Sequence, residues 1–160
     1  MNKQNTVLII DDSELDRHTM CQVLERKSFH AVAIDDGKNF IEVIENQKPD
    51  IILLDIMMPT VHGNQVLHQI RKKYNQIELP VIMISAKSDA SDVIEMLQLG
   101  ANDYLVKPVD FDIALMRINT HLRIKELSAE KVRLKELEAI HAIVTTYNHE
   151  INNPLAIAIG

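Results

Sequence analysis

Four apolar runs in this chain are each closed by residues able to do phosphoryl chemistry. Residues 7–10 are followed by Asp11 and Asp12, 51–54 by Asp55, 81–84 by Ser85, and 104–106 by Lys107 and Pro108. In an open α/β sheet, groups placed in this way converge at the carboxyl edge of the strands. Three carboxylates within a few ångströms repel one another, so either one keeps a proton or a cation sits among them. Hard oxygen donors with open positions suit Mg2+, which accepts one or two carboxylates, several waters and a substrate phosphate. Lys107 adds a second positive charge and Ser85 a hydroxyl. With the metal they would stabilise the spreading negative charge of a phosphoryl group in transfer. Asp55 stands alone at the end of a wholly apolar strand and is the expected nucleophile, leaving Asp11 and Asp12 to hold the metal. Taken singly, each residue is an ordinary cap or turn residue; the agreement of several strand ends carries the assignment.

The elements that must position these groups follow from periodicity. Residues 7–10, 31–34, 51–54 and 81–84 are unbroken apolar runs, the pattern of strands with helices on both faces, and 104–106 makes a fifth strand. Amphipathic stretches near 13–27, 37–47, 63–74 and 89–98 lie between them. Ser13 with Asp16 marks a helix start and Gly100 a stop. Five such units predict an α/β fold, a doubly wound, five-stranded parallel sheet.

Beyond Asp110 the strand signals end. From Phe111 to Asn153 there is neither Gly nor Pro, which predicts one long C-terminal helix. Leu127, Leu134, Leu137, His141, Val144, Asn148, Ile151 and Leu155 approximate a heptad seam, so a coiled-coil homodimer through this helix is expected, in preference to folding back on its own domain.

The chain has 160 residues, 46% hydrophobic and 25% charged, a globular composition with room for one domain and an appendage. Residues 1–110 carry the whole net charge of −6 and the remainder balances to zero. An acidic surface of this kind disfavours nucleic acid. With four glycines, none closely spaced, no GxGxxG or GxxxxGK[ST] loop exists to cradle a nucleotide. No apolar run is long enough for a membrane span, and the single cysteine, Cys21, fits a reducing compartment; a cytoplasmic location is expected.

Asp11-Asp12, Asp55 within Asp55-Ile56-Met57-Met58-Pro59, Gly63, Ser85-Ala86 and Lys107-Pro108, in this order and spacing, resemble the receiver domain of two-component response regulators over about residues 5–122. The resemblance implies a flavodoxin-like sheet of order 2-1-3-4-5 and phosphorylation of Asp55 by a phosphohistidine on a donor protein or kinase core. It further implies Mg2+ held by Asp11 or Asp12, Asp55 and the backbone carbonyl of Met57, and a cis Lys107–Pro108 bond. Ser85 and Tyr104 match the residues that move on phosphorylation. Met57 and Lys87 match positions that tune dephosphorylation.

Tyr147-Asn148-His149-Glu150-Ile151-Asn152-Asn153-Pro154-Leu155 resembles the H-box of sensor histidine kinases. At about 100° per residue, His149 lies away from the proposed seam, as an imidazole that must be phosphorylated requires. The resemblance makes His149 a candidate phosphohistidine with Glu150 as its hydrogen-bond partner or base, while Pro154 would kink the helix. The expected organisation is a receiver over 1–122, a coiled-coil connector over 123–146 and, over 147–160, a truncated first helix of a histidine-kinase dimerisation and phosphotransfer domain. The chain would then be a hybrid histidine kinase fragment. Lacking an ATP domain, it would show only self-phosphorylation from small donors and autodephosphorylation. Two competing readings are a phosphatase of the haloacid dehalogenase type, whose Asp-x-Asp motif the adjacent Asp11 and Asp12 do not match, and a phosphorylation-independent dimerisation scaffold.

Overall fold

A computed structural model describes residues 3–87 and 89–152. The elements run β1 (Thr6–Ile10), α1 (Glu14–Arg26), β2 (His30–Ile34), α2 (Phe40–Gln47), β3 (Ile51–Asp55), α3 (Gly63–Arg71), β4 (Val81–Ser85), α4 (Ala90–Gln98), β5 (Asp103–Val106) and α5 (Phe111–Ile151). The five strands form one parallel sheet of order β2-β1-β3-β4-β5. This is the flavodoxin-like topology, with a long C-terminal helix after it.

The unbroken apolar runs of the inner strands have a direct cause. Alternate residues of β1, β3 and β4 face opposite ways, and helices cover both faces. Leu8, Ile10, Ile52, Leu54 and Met83 join Val66, Leu67 and Met96 of α3 and α4 in one core. Val7, Ile9, Leu53, Ile82 and Ile84 join Met20 and Leu24 of α1 and Ile118 of α5 in the other.

The edge strand β2 departs from expectation. Its apolar run predicted cover on both faces, yet His30 and Ala33 are exposed and the other three residues only half-buried. An edge strand has a single hydrogen-bonded neighbour and less helix above it, and its small alanines leave little apolar area to hide. Helix α2 begins at Phe40 instead of residue 37. The Asp36 carboxylate accepts the Lys38 N–H at 3.1 Å and makes a turn there, a local bond that competes with helix.

The chain divides into two units, Met1–Ile124 and Lys125–Gly160. In the first, Ala114 and Ile118 of α5 are buried. In the second, every described residue except Lys125 and Ser128 is exposed. From Leu137 onward its exposed large apolar residues are Leu137, Ile140, Ile143, Val144, Tyr147 and Ile151, and all of these but Ile143 fall at a three-four spacing. The stripe therefore passes through Ile140 and Tyr147 where the expected seam had His141 and Asn148. His149 is exposed and stands nine residues after Ile140, about half a turn round the helix. Asn153, Pro154 and Leu155 of the tail motif, with residues 156–160, lie outside the described residues. Among the described residues no helix is long and apolar enough to cross a membrane.

Candidate functional site

Strand register builds the site. Ile10 pairs with Leu54, Asp55 with Ile84, and Ser85 with Val106. The residues just past these pairs, Asp11, Asp55, Ser85 and Lys107, therefore reach the same edge of the sheet.

Local hydrogen bonds then fix each backbone. Asp11 is fully buried, and its Oδ1 accepts the Ser13 N–H at 2.8 Å. The Asp11 carbonyl accepts from Arg17 Nη1 at 2.7 Å. Ser13 caps α1 by accepting the Asp16 N–H at 3.3 Å, which satisfies one orphan donor of the first turn. Asp55 Oδ1 accepts the Met57 N–H at 3.2 Å. The Gly63 N–H donates to the Ile56 carbonyl at 2.8 Å and ties the start of α3 to the turn after β3. Ser85 Oγ accepts the Lys87 N–H at 3.0 Å. The Lys107 N–H reaches the Ser85 carbonyl at 2.8 Å, and the Lys107–Pro108 bond is cis.

At the centre is the Lys107 ammonium, which donates to Asp16 Oδ2 at 3.1 Å, Asp11 Oδ2 at 3.2 Å and Asp55 Oδ2 at 3.4 Å. Burial and the charge of Asp11 push Asp55 up to about 6, against the opposing pull of Lys107 and of the Met57 N–H; Asp12 adds a further upward push. Burial works against the charge on Lys107, but the bond to Asp16 and the charges of Asp55 and Asp11 outweigh it and hold the lysine above its ordinary value.

Asp11, Asp12 and Asp55 each offer one oxygen, all within 4.8 Å of one another. Two of these carboxylates are buried and Asp12 is exposed, so the cluster is open on the solvent side. An all-oxygen, partly open donor set fits a hard divalent cation such as Mg2+.

The expected site residues are distributed as follows. Asp11, Asp12, Asp55 and Lys107 form the cluster, and Ser85 is buried one strand over. Met57, two residues past Asp55, exposes its side chain. Ser85 and Met57 border a cavity of about 260 Å³ that also touches Asn64 and Lys87. Tyr104 is half-buried against the core, with the guanidinium carbon of Arg117 5.8 Å from its ring centre. His149 and Glu150 are exposed residues of the second unit.

Sequence reading did not identify Asp16 as a partner of Lys107, because its place in the first turn of α1 already explained it as a helix-start residue. It also gave no role to His121, which pairs with Asp103 at 3.1 Å beside the Arg117–Asp103 ion pair. The available signal was helical spacing. Arg117 and His121 are four apart on α5, and so share the face toward β5.

Comparison with known proteins agrees with this geometry. The family model described as the response regulator receiver domain matches residues 7–119. The chain is 37% identical over 123 residues to the transcriptional regulatory protein CseB of Streptomyces avermitilis, covering 77% of this chain and 51% of CseB. It is 33% identical over 116 residues to protein PilH of Pseudomonas aeruginosa, covering 72% of this chain and 96% of PilH. The chain thus spans about half the length of CseB and nearly all of PilH. The BeF3-activated N-terminal receiver domain of Klebsiella pneumoniae RstA superposes with a TM-score of 0.69 at 27% identity, over 74% of this chain and 99% of that domain.

Proposed function

Since the chain belongs to the response-regulator receiver family of two-component signalling, we propose that it accepts a phosphoryl group on Asp55 from a phosphohistidine of a donor protein, in the cytoplasm and with Mg2+. The observation that carries this reading is the convergence of one lysine ammonium and three carboxylates, from the end of β3 and the turns that follow β1 and β5, on a single opening. One Asp55 carboxylate oxygen attacks phosphorus while the phosphorus–nitrogen bond to the donor imidazole breaks. The products are an acyl phosphate and an imidazole whose freed nitrogen carries the electron pair. Mg2+, held by Asp11, Asp12, Asp55 and the Met57 carbonyl, would supply positive charge to the phosphoryl oxygens. Lys107 pairs with one of those oxygens from the other side, and the Ser85 hydroxyl donates to another. The movement of Ser85 opens space for the Tyr104 ring to turn inward, biasing a two-state surface of β5 and α5.

The downstream element is α5. Its exposed Leu137, Ile140, Val144, Tyr147 and Ile151 support pairing with a second copy of the chain as a coiled coil. The exposure of His149 on the opposite face, with exposed Glu150 next to it in sequence, supports the reading of 147–160 as the opening of a histidine-kinase phosphotransfer helix, after a receiver over 1–122 and a connector over 123–146.

The test is labelling of the whole chain with radiolabelled acetyl phosphate. Mg2+-dependent, hydroxylamine-sensitive label that disappears in Asp55→Asn is expected, and undiminished label in that variant would overturn the assignment. The kinase link has its own check. Incubation with a histidine-kinase ATP-binding domain and ATP should place acid-labile label on His149, and label confined to other residues would remove it.

A further inference from the structure

Lys107 has three ammonium protons and three carboxylate partners, so its donors are saturated. Phosphorylation removes the charge of the Asp55 carboxylate and hands its bond to a phosphoryl oxygen, so Lys107 can move fully onto that group only if its bond to Asp11 or Asp16 is also released. The partners differ in the cost of release. The side chains of Asp11 and Asp55 are 0% and 4% exposed, whereas that of Asp16 is 43% exposed. A buried carboxylate that loses its cation is left without solvent, and an exposed one is taken up by water. Asp16 also lies outside the carboxylate cluster suited to a metal, so its bond to Lys107 remains when a cation draws on the charge of Asp11 and Asp55.

We propose that Asp16 is a positioning residue that parks Lys107 in the resting state and competes with the phosphoryl group for the same ammonium, so that it sets the lifetime of the phosphorylated form. The inference rests on phosphorylation at Asp55 as proposed above. Asp16 acts on the phosphoryl group through Lys107, and it is placed to do so by the bond of its own N–H to Ser13, which anchors the first turn of α1 beside Asp11. Removing that partner frees one donor and takes a negative charge away from the incoming dianion. Both effects favour the phosphorylated state.

The experiment compares the parent chain, Asp16→Asn, Asp16→Glu and Glu14→Gln. Each is labelled with acetyl phosphate at saturating Mg2+, freed of donor, and followed as the label decays. Asp16→Asn should extend the lifetime of the label by about two- to fivefold, the span of an exposed ion pair. Asp16→Glu should return it to the parent value. Glu14→Gln removes the same charge from the same first turn and should leave the lifetime unchanged. An unchanged or shortened lifetime in Asp16→Asn, or equal lengthening in Glu14→Gln, overturns the inference. Because label in the parent chain and its loss in Asp55→Asn are scored in parallel, failure of the phosphoacceptor assignment is read separately from failure of the role given to Asp16.

Discussion

Gly63 lies against the backbone of Asp55 so closely that a β-carbon there would stand 2.4 Å from the Asp55 carbonyl oxygen and 2.7 Å from Ile56 Cα. The obstacle is backbone, so no rotamer can relieve it. Gly63→Ala must push the start of α3 away from the turn that carries Asp55. We expect a loss of about 1–3 kcal/mol in urea unfolding, the usual cost of overpacking, together with slower labelling by acetyl phosphate. A variant of parent stability would show that this contact is easily relaxed.

The raised Asp55 carboxyl, at about 6 against an ordinary 3.8, has a signed consequence for stability without metal. Between these values the folded chain binds more protons than the unfolded chain, so stability falls as pH rises through that window. The full penalty is present above pH 6 and absent below about 4. Asp55→Asn in a metal-free buffer should therefore gain up to about 3 kcal/mol at pH 8, shrinking to nothing near pH 4. Denaturant midpoints at the two pH values check this, and a gain independent of pH would contradict the electrostatic cause.

A cation held among Asp11, Asp12 and Asp55 would bind the folded chain and so stabilise it. At ten times its dissociation constant, Mg2+ should add about 1.4 kcal/mol and raise Tm by a few degrees. Asp12 is exposed, and Asp12→Asn should fold normally while losing most of that rise. Chelation with EDTA should abolish labelling of the parent chain. A melting temperature indifferent to Mg2+ would count against the metal site.

Arg71 holds the opposite end of the sheet. Its guanidinium donates to the carbonyls of Gly100 and Leu79 at 2.7 and 2.9 Å and to Asn102 Oδ1 at 2.9 Å, joining the segments before β4 and β5. Arg71→Ala leaves these acceptors unpaired and should cost about 2–4 kcal/mol. Conditions in which the variant remains folded should show labelling of Asp55 at the parent rate. Reduced labelling in the folded variant would mean that the two ends of the sheet are coupled.

The apolar stripe on α5 makes a prediction of its own. Leu137→Glu combined with Val144→Glu places two charges in the seam and should convert a dimer to a monomer in sedimentation equilibrium, with labelling of Asp55 retained. A parent chain already monomeric at tens of micromolar would dispose of the coiled-coil proposal.

The fold was legible because each inner strand is an apolar run followed by a polar turn. That pattern arises physically from burial on both faces, as the two cores flanking β1, β3 and β4 show. β2 was less legible, since a run of small and β-branched residues reads alike whether or not helices cover it. Asp11, Asp12, Asp55, Ser85 and Lys107 could be found from their places at strand ends. Asp16 could not, because its position in a helix cap accounted for its type and nothing local signals a partner 91 residues away.

Residue types and spacing thus determined by themselves the order of elements, the parallel sheet and the identity of the carboxylates at its edge, since these depend on periodicity along a chain. Only the tertiary structure decided which carboxylates share the Lys107 ammonium, how far Asp55 is raised, and why residue 63 must lack a side chain. These depend on distances between segments far apart in sequence. An electrostatic interaction is set by separation and burial, and neither is written in any one stretch of residues.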